Sequence, residues 1–220
     1  MQINATPHSS DLPIIYALGS ILETVHLPTL FERTQPLEVE LGSGDGSFLI
    51  EHASTHLEHN FIGIERLLGR LRKIEKKARQ AKLRNLRAIR IESAYFLRYL
   101  LPRHCVSALH IYFPDPWPKR KHQRHRLINE TFPALAQQVL VPQGRVYLRT
   151  DDRDYFAQME RVFGTSAFRQ VEMPRDLAAV RTDFEAAFNK RGIPTLGAAY
   201  ESPAQTSATH QSPAHPRQDL

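Results

Sequence analysis

Cysteine is nearly absent from this chain: Cys105 stands alone among 220 residues. A single cysteine excludes an intrachain disulfide and any zinc site built from cysteine clusters. Long apolar runs are missing as well. None approaches the ~20 residues needed to cross a bilayer, so no membrane partner is expected. The first ten residues, Met1 to Ser10, are polar and lack the basic and then apolar stretches of a secretory signal, and a cytoplasmic protein is expected. Acid is scarce in one region. Between Arg66 and Arg90 stand eleven Lys or Arg residues and one acid, Glu75. With a formal net charge of +6, that imbalance suggests a polyanionic partner such as nucleic acid, although a charge run is also what a solvated face looks like.

What is present is alternation of strand and helix patterns. Ile14 to Phe31 has helical apolar spacing and is predicted to lead the chain as a helix, within an N-terminal helical extension over 1–35. Strands are predicted at Leu37–Leu41, Phe61–Glu65, Leu86–Ile91, Val106–Phe113, Gly144–Thr150 and Phe168–Glu172. Helices are predicted over Ser47–Leu57, around Leu67–Ala81, over Ala94–Leu101, Leu127–Leu140 and Tyr155–Phe163. This order implies an α/β fold, a mostly parallel twisted sheet with helices on both faces, over 36–200. From Glu201 to Leu220 the chain is rich in Ser, Pro, Ala, Gln and His and is expected to remain a disordered tail.

In an open α/β sheet, ligands bind beyond the carboxyl ends of the strands. Glu40, Glu65, Glu92 and Asp115 fall at four successive predicted strand ends. Gly42, Gly44 and Gly46 allow a tight strand-to-helix turn with close backbone approach to a ligand. The dinucleotide pattern G-x-G-x-x-G would need glycine at Ser47. Glu40 beside the turn suits an ammonium group better than a pyrophosphate, and Glu65 stands where a carboxylate accepts ribose hydroxyls. A nucleoside carrying an amino-acid ammonium describes S-adenosylmethionine, so the turn favours that cofactor over a nicotinamide dinucleotide.

The stretch His110 to His122 is the most informative. Pro114, Pro116 and Pro118 surround Asp115 and Trp117, the only tryptophan, and a basic run beginning at Lys119 follows. Proline fixes φ, so Asp115 is expected to be held rigidly, as positioning catalysis requires. Lys119 and its neighbours would hold a nucleic-acid backbone. His122 and His125 lack further ligands nearby in the sequence, and no metal is expected.

The segment FPDPWPKRKH resembles the pattern FPDPWxKxRHxKRR of the bacterial tRNA (guanine-N7)-methyltransferase family. VELGSGDGSF and GIER resemble that family's two cofactor motifs, Thr150-Asp151 its T-D pair, and Thr182-Asp183-Phe184-Glu185 its T-x-F-E motif. The resemblance runs from about Pro36 to Gly192. It implies a Rossmann-like class I methyltransferase fold and S-adenosyl-L-methionine as cofactor, held by Glu40, Gly42, Gly44, Glu65, Glu92 and Asp115. It further implies catalysis by Asp115 and substrate contacts from Lys119, Asp151, Thr182, Asp183, Phe184 and Glu185. The implied product is 7-methylguanine in tRNA, at position 46 of the variable loop. Three positions depart from the pattern: Glu92-Ser93 replaces Asp-Ala, Asp45 replaces a position that is often basic, and Ile193–Leu196, with its proline, suits only an edge strand.

Alternatives remain at this level. An amino-group methyltransferase, a non-catalytic RNA-binding protein on the same fold and, more remotely, a nicotinamide oxidoreductase fit parts of the pattern. Monomer and homodimer are both open.

Overall fold

The computed structural model describes residues 12–180, 185 and 188–204. Its strands in chain order are β1 (Ile15–Tyr16), β2 (Leu37–Leu41), β3 (Asn60–Ile64), β4 (Leu86–Ile89), β5 (Val106–Tyr112), β6 (Leu140–Thr150), β7 (Arg169–Val171) and β8 (Leu196–Glu201). Between them run α1 (Ser47–Thr55), α2 (Leu68–Gln80), α3 (Ser93–Tyr95), α4 (Phe132–Val139), α5 (Arg153–Gly164) and α6 (Arg175–Ala179). A π-helical turn, Phe96–Leu100, continues α3, and short 3-10 turns occupy Leu27–Thr29 and Arg120–His125.

All eight strands form one sheet in the order β1-β4-β3-β2-β5-β6-β8-β7. Pairing is parallel from β1 through β6, and antiparallel where β8 joins β6 and β7. The chain first builds outward from β2 through β3 and β4, then crosses back to place β5 on the other side of β2. That reversal opens a crevice above the ends of β2 and β5. β2, β3 and β4 are buried along their whole length, as expected of strands covered on both faces. α2 buries Leu71, Ile74 and Ala78 on one stripe and turns its lysines and arginines outward. Among the described residues, no helix is long and apolar enough to cross a membrane.

The α/β alternation and the mostly parallel sheet agree with the sequence. Several boundaries do not. Residues 14–31 are not a helix: Ile15 and Tyr16 pair with Ala88 and Ile89, and the remainder is bends plus one 3-10 turn. Pro13, Gly19-Ser20 and Pro28 interrupt any helix here, and the apolar spacing serves irregular packing instead. Val25 and Leu30 are buried in the core, and the Val25 N–H donates to the Leu100 carbonyl at 2.8 Å. The helix predicted over Leu127–Leu140 begins only at α4, because Pro133 is tolerated in a first turn but not within a helix. The last strand is not at Ile193–Leu196 and not at an edge. Pro194 precedes β8, so it removes no donor from the ladder, and the edge is β7. Glu201 ends β8, and buried Ser202 donates its N–H to the Gly144 carbonyl at 2.8 Å. The ordered chain thus extends past the expected start of the tail, of which 205–220 lie outside the described residues.

Gly63 on β3 shows how closely the sheet meets α1 and the turn after β2. A Cβ at Gly63 would lie 2.4 Å from Leu49 Cδ2 and 2.7 Å from Ser43 Oγ, both buried. Gly63→Ala should therefore destabilise the protein by ~1–3 kcal/mol through overpacking. At about 2–4 °C per kcal/mol for a chain of this size, thermal unfolding should show a loss of several degrees. An unchanged midpoint would mean that Leu49 and Ser43 can move aside freely.

Candidate active site

The turn after β2 is built from three glycines with left-handed backbone: φ is 79° at Gly42, 58° at Gly44 and 80° at Gly46. Only glycine adopts these angles at little cost. The Gly42 and Ser43 N–H groups donate to the Ile64 carbonyl at 2.9 Å each, tying the turn to the end of β3. Glu65 completes the tie. Its carboxylate, 7% exposed, accepts from Gly44 N–H at 3.1 Å and Leu67 N–H at 2.8 Å, with Arg70 Nη1 at 3.6 Å.

Glu38 and Glu40 share one face of β2, and both are buried. Against the effect of burial, hydrogen bonds from His110 and His52 hold the Glu38 carboxyl well below the usual carboxylate range. Glu40 is the opposite case. Burial, with the negative charge of Asp45 adding to it, pushes its carboxyl well above that range. Its Oε2 is buried and has no hydrogen-bond partner. An orphaned carboxylate oxygen in a cleft is costly unless a donor arrives.

Asp115 follows β5 on a loop with two strained neighbours: φ is 51° at Phe113 and 44° at Trp117, neither a glycine. Surrounding contacts over-determine this shape. The Phe113 N–H donates to the Arg149 carbonyl at 2.8 Å, and Arg126 Nε donates to the Pro116 carbonyl at 2.6 Å. Arg126 is itself buried and fixed by Asp154 at 2.7 Å and Gln158 at 2.8 Å. The Asp115 side chain is exposed at the mouth of the crevice.

Two adjoining cavities fill that crevice. One, about 440 Å³, is walled by Gly42, Glu65, Glu92, Ser93, Asp115 and Trp117, among others. The other, about 260 Å³, is walled by Glu40, Gly44, Asp45, Asp115, Asp151 and Phe188, among others. Gly42, Arg70 and the run Tyr112 to Asp115 border both. The structure thus brings together Glu40, Gly42, Gly44, Glu65, Glu92, Asp115 and Asp151 from five separate segments. Glu92 also caps α3, accepting from the Ala94 and Tyr95 N–H groups at 3.0 and 2.7 Å.

Other expected residues fall differently. Lys119 borders neither cavity; it is exposed just before the basic 3-10 turn Arg120–His125. Glu185 is 6% exposed and pairs with Arg149 Nη1 at 3.1 Å. Thr182, Asp183 and Phe184 lie outside the described residues. Trp117 is 38% exposed and packs beside His125, ring centroids 5.3 Å apart, and His122 at 5.9 Å. Cys105, whose thiol burial pushes up to about 11, has no nucleophilic character.

Sequence reasoning missed Arg149 and Arg126. Arg149 is buried, holds Glu185 and the carbonyls of Leu177 and Val180, and lies 4.6 Å from the centre of the Tyr112 ring. The signal available was its place directly before Thr150-Asp151 at a strand end.

A family model described as "Putative methyltransferase" matches residues 34–196. A tRNA (guanine-N(7)-)-methyltransferase of Macrococcus caseolyticus is 30% identical over 177 residues, covering 76% of this chain and 82% of that protein. One from Chlamydia abortus is 33% identical over 144 residues, covering 66% of this chain and 64% of that protein. This chain belongs to the bacterial tRNA (guanine-N7)-methyltransferase family. The fold of this methyltransferase is shared more widely. The crystal structure of the 16S rRNA methyltransferase KamB superposes with a TM-score of 0.58 at 13% identity, covering 80% of this chain and 92% of that one. At that identity the likeness is one of fold alone.

The tethering of the Asp115 loop in this family member can be tested directly. Arg126→Ala removes a charged donor from the Pro116 carbonyl, a bond of a type worth ~1.5–3 kcal/mol. Amide hydrogen exchange across 113–119 should accelerate by roughly one to two orders of magnitude. Unchanged exchange there, with a lower melting temperature, would restrict Arg126 to holding α5.

Proposed function

We propose that this methyltransferase moves a methyl group from S-adenosyl-L-methionine to N7 of a guanine in tRNA, at position 46 of the variable loop, in the cytoplasm. The observation that carries this reading is the orphaned, buried Glu40 Oε2 in a crevice that also presents Glu65 and the Asp115 loop. The names of the related proteins support the substrate and the atom modified.

The residues present fit the cofactor. Glu40 offers its unpaired oxygen to an ammonium group. Glu65, already oriented by two backbone donors, suits ribose hydroxyls, and Glu92 with Ser93 borders the space left for adenine. Beside Gly42 and Gly44 no atom lies within 4 Å of where a Cβ would be, so the backbone there is open to a ligand. When bound, S-adenosylmethionine supplies a methyl group activated by its sulfonium.

Guanine N7 carries a free lone pair, so no residue has to remove a proton before transfer. The protein's task is alignment and stabilisation of a purine that becomes cationic. Asp115, fixed between two strained residues at the junction of both cavities, is placed to supply that negative charge. Asp151 borders the same cavity and suits donors on the guanine's Watson–Crick edge. Glu185 already serves Arg149, so its part in binding substrate is through the position of α6 and the residues beside it, with Thr182, Asp183 and Phe184 keeping their expected substrate role. Lys119, Arg120, Lys121 and Arg124 form the positive rim that would hold phosphates.

Labelled methyl transfer from S-adenosylmethionine to unmodified tRNA, followed by nucleoside analysis, tests the reaction. 7-Methylguanosine should appear and be lost when the variable-loop guanine is replaced. Asp115→Ala should lower turnover by roughly 10²–10³-fold with little change in cofactor affinity. Wild-type turnover in that variant would remove Asp115 from the chemistry.

Glu40 adds a pH dependence. In the free protein its raised pKa keeps the carboxyl protonated above the ordinary range, whereas an ammonium group needs it ionised. Cofactor affinity should therefore rise with pH through that titration, by up to about tenfold per unit, and then level off. Calorimetry in buffers of different ionisation enthalpy should show proton release on binding. Glu40→Gln should abolish it, and release that persisted in this variant would assign the proton to another group.

A further inference from the structure

Beneath the crevice, three histidines close on Glu38. His52 on α1 brings Nε2 to 3.1 Å from Glu38 Oε2, and His110 on β5 brings Nε2 to 2.7 Å from the same oxygen. His59, just before β3, places Nδ1 2.6 Å from Oε1. Glu38, His52 and His110 are 7%, 3% and 1% exposed, and their ligand-type atoms all lie within 4.8 Å of one another. The methyl-transfer reading gives this cluster no task.

A hydrogen-bonded carboxylate accounts for part of the arrangement. It requires both His52 and His110 to carry a proton on Nε2, and it leaves the buried Nδ1 of His52 without a partner. Presenting the Nε2 lone pair to a metal instead would move the ring proton to this Nδ1, which has no acceptor among the described residues. His110 has the opposite support: its Nδ1 meets the Tyr112 hydroxyl at 2.9 Å, the kind of outer partner that orients a metal-bound imidazole. The rings are also held from the side. Phe48 stacks on His52 at 5.0 Å and Tyr147 on His110 at 5.2 Å.

The geometry points to a binding site for a divalent transition-metal ion of the zinc type, formed by Glu38, His52 and His110. Metal–ligand bonds of ~2.0–2.2 Å put tetrahedral donor atoms about 3.3 Å apart. The observed 2.7 and 3.1 Å separations need to open by only a few tenths of an ångström. Imidazole nitrogens with one carboxylate select zinc, cobalt, nickel or copper over magnesium or calcium. Three protein ligands leave the fourth position of the shell to water and tie α1, β2 and β5 together under the crevice. His59, less buried than the others, gives the ion its way in. The ligands are scattered over 72 residues from Glu38 to His110, so no spacing motif announces them.

The test uses the full chain, stripped with chelator and titrated with Zn²⁺ against a chromophoric competitor. One equivalent should bind with a dissociation constant below about 1 µM, and Co²⁺ in its place should give the visible absorption of a tetrahedral site. His52→Gln and His110→Gln should each weaken that equivalent at least a hundredfold. Tyr112→Phe, which keeps every ligand, should weaken it roughly 10–100-fold and covers the case in which a ligand variant fails to fold. Replacing the exposed His122 and His125 by alanine should leave it intact. Absence of a tight equivalent in the wild type would overturn the proposal, as would a tight equivalent that survives His52→Gln or His110→Gln.

Discussion

Placing two carboxylates on one face of a buried central strand costs several kcal/mol for each ion unless partners compensate, and β2 treats its two differently. Glu38 is surrounded by imidazoles and ionised. Glu40, one pleat nearer the strand's end, is left with an open oxygen and a raised pKa. The same strand therefore separates a lower layer, where imidazoles pair with its carboxylate, from an upper layer where a carboxyl oxygen is left open. The glycine turn, Glu65 and Tyr112 are arranged around that boundary, and Tyr112 touches both layers through His110 and the crevice wall.

Much of the fold was legible because its signals are local. The apolar stripe of α2 and the short runs of β2 to β5 each follow from one periodicity, and the strand-end acids follow from those runs. The misreadings arose where tertiary contacts outweighed periodicity. Ile14 to Phe31 has helical spacing, but Ile14, Val25, Leu30 and Phe31 are buried one at a time in irregular chain while Ile21 and Leu22 stay exposed. β8 starts after Pro194 because its pairing is carried by Ala198, Ala199 and Tyr200, which are buried within it and form no strong local pattern.

The site divides along the same line. Glu40, Glu65, Glu92 and Asp115 are legible as acids at strand ends and Asp151 through its resemblance to the family's T-D pair, and all five border the crevice. Arg126 and Arg149 were not legible, since one arginine in a basic chain carries no mark of burial. Their partners lie about thirty residues away: Asp154 and Gln158 for Arg126, Leu177 and Glu185 for Arg149. The histidine cluster was hidden for the same reason. Glu185 was read as a substrate contact from its motif alone, and only the fold shows that an arginine already holds it.

β1 is two residues long, yet it lies along the outer side of β4. An uncovered β4 would present a row of backbone donors and acceptors to any extended chain nearby. Ile15 and Tyr16 pair with Ala88 and Ile89, half of β4, and stop there, too short to offer a new edge of comparable reach. At this border of the sheet the protein resists unwanted self-assembly with a pair of residues, and protein lacking them would be prone to aggregate even with its crevice intact.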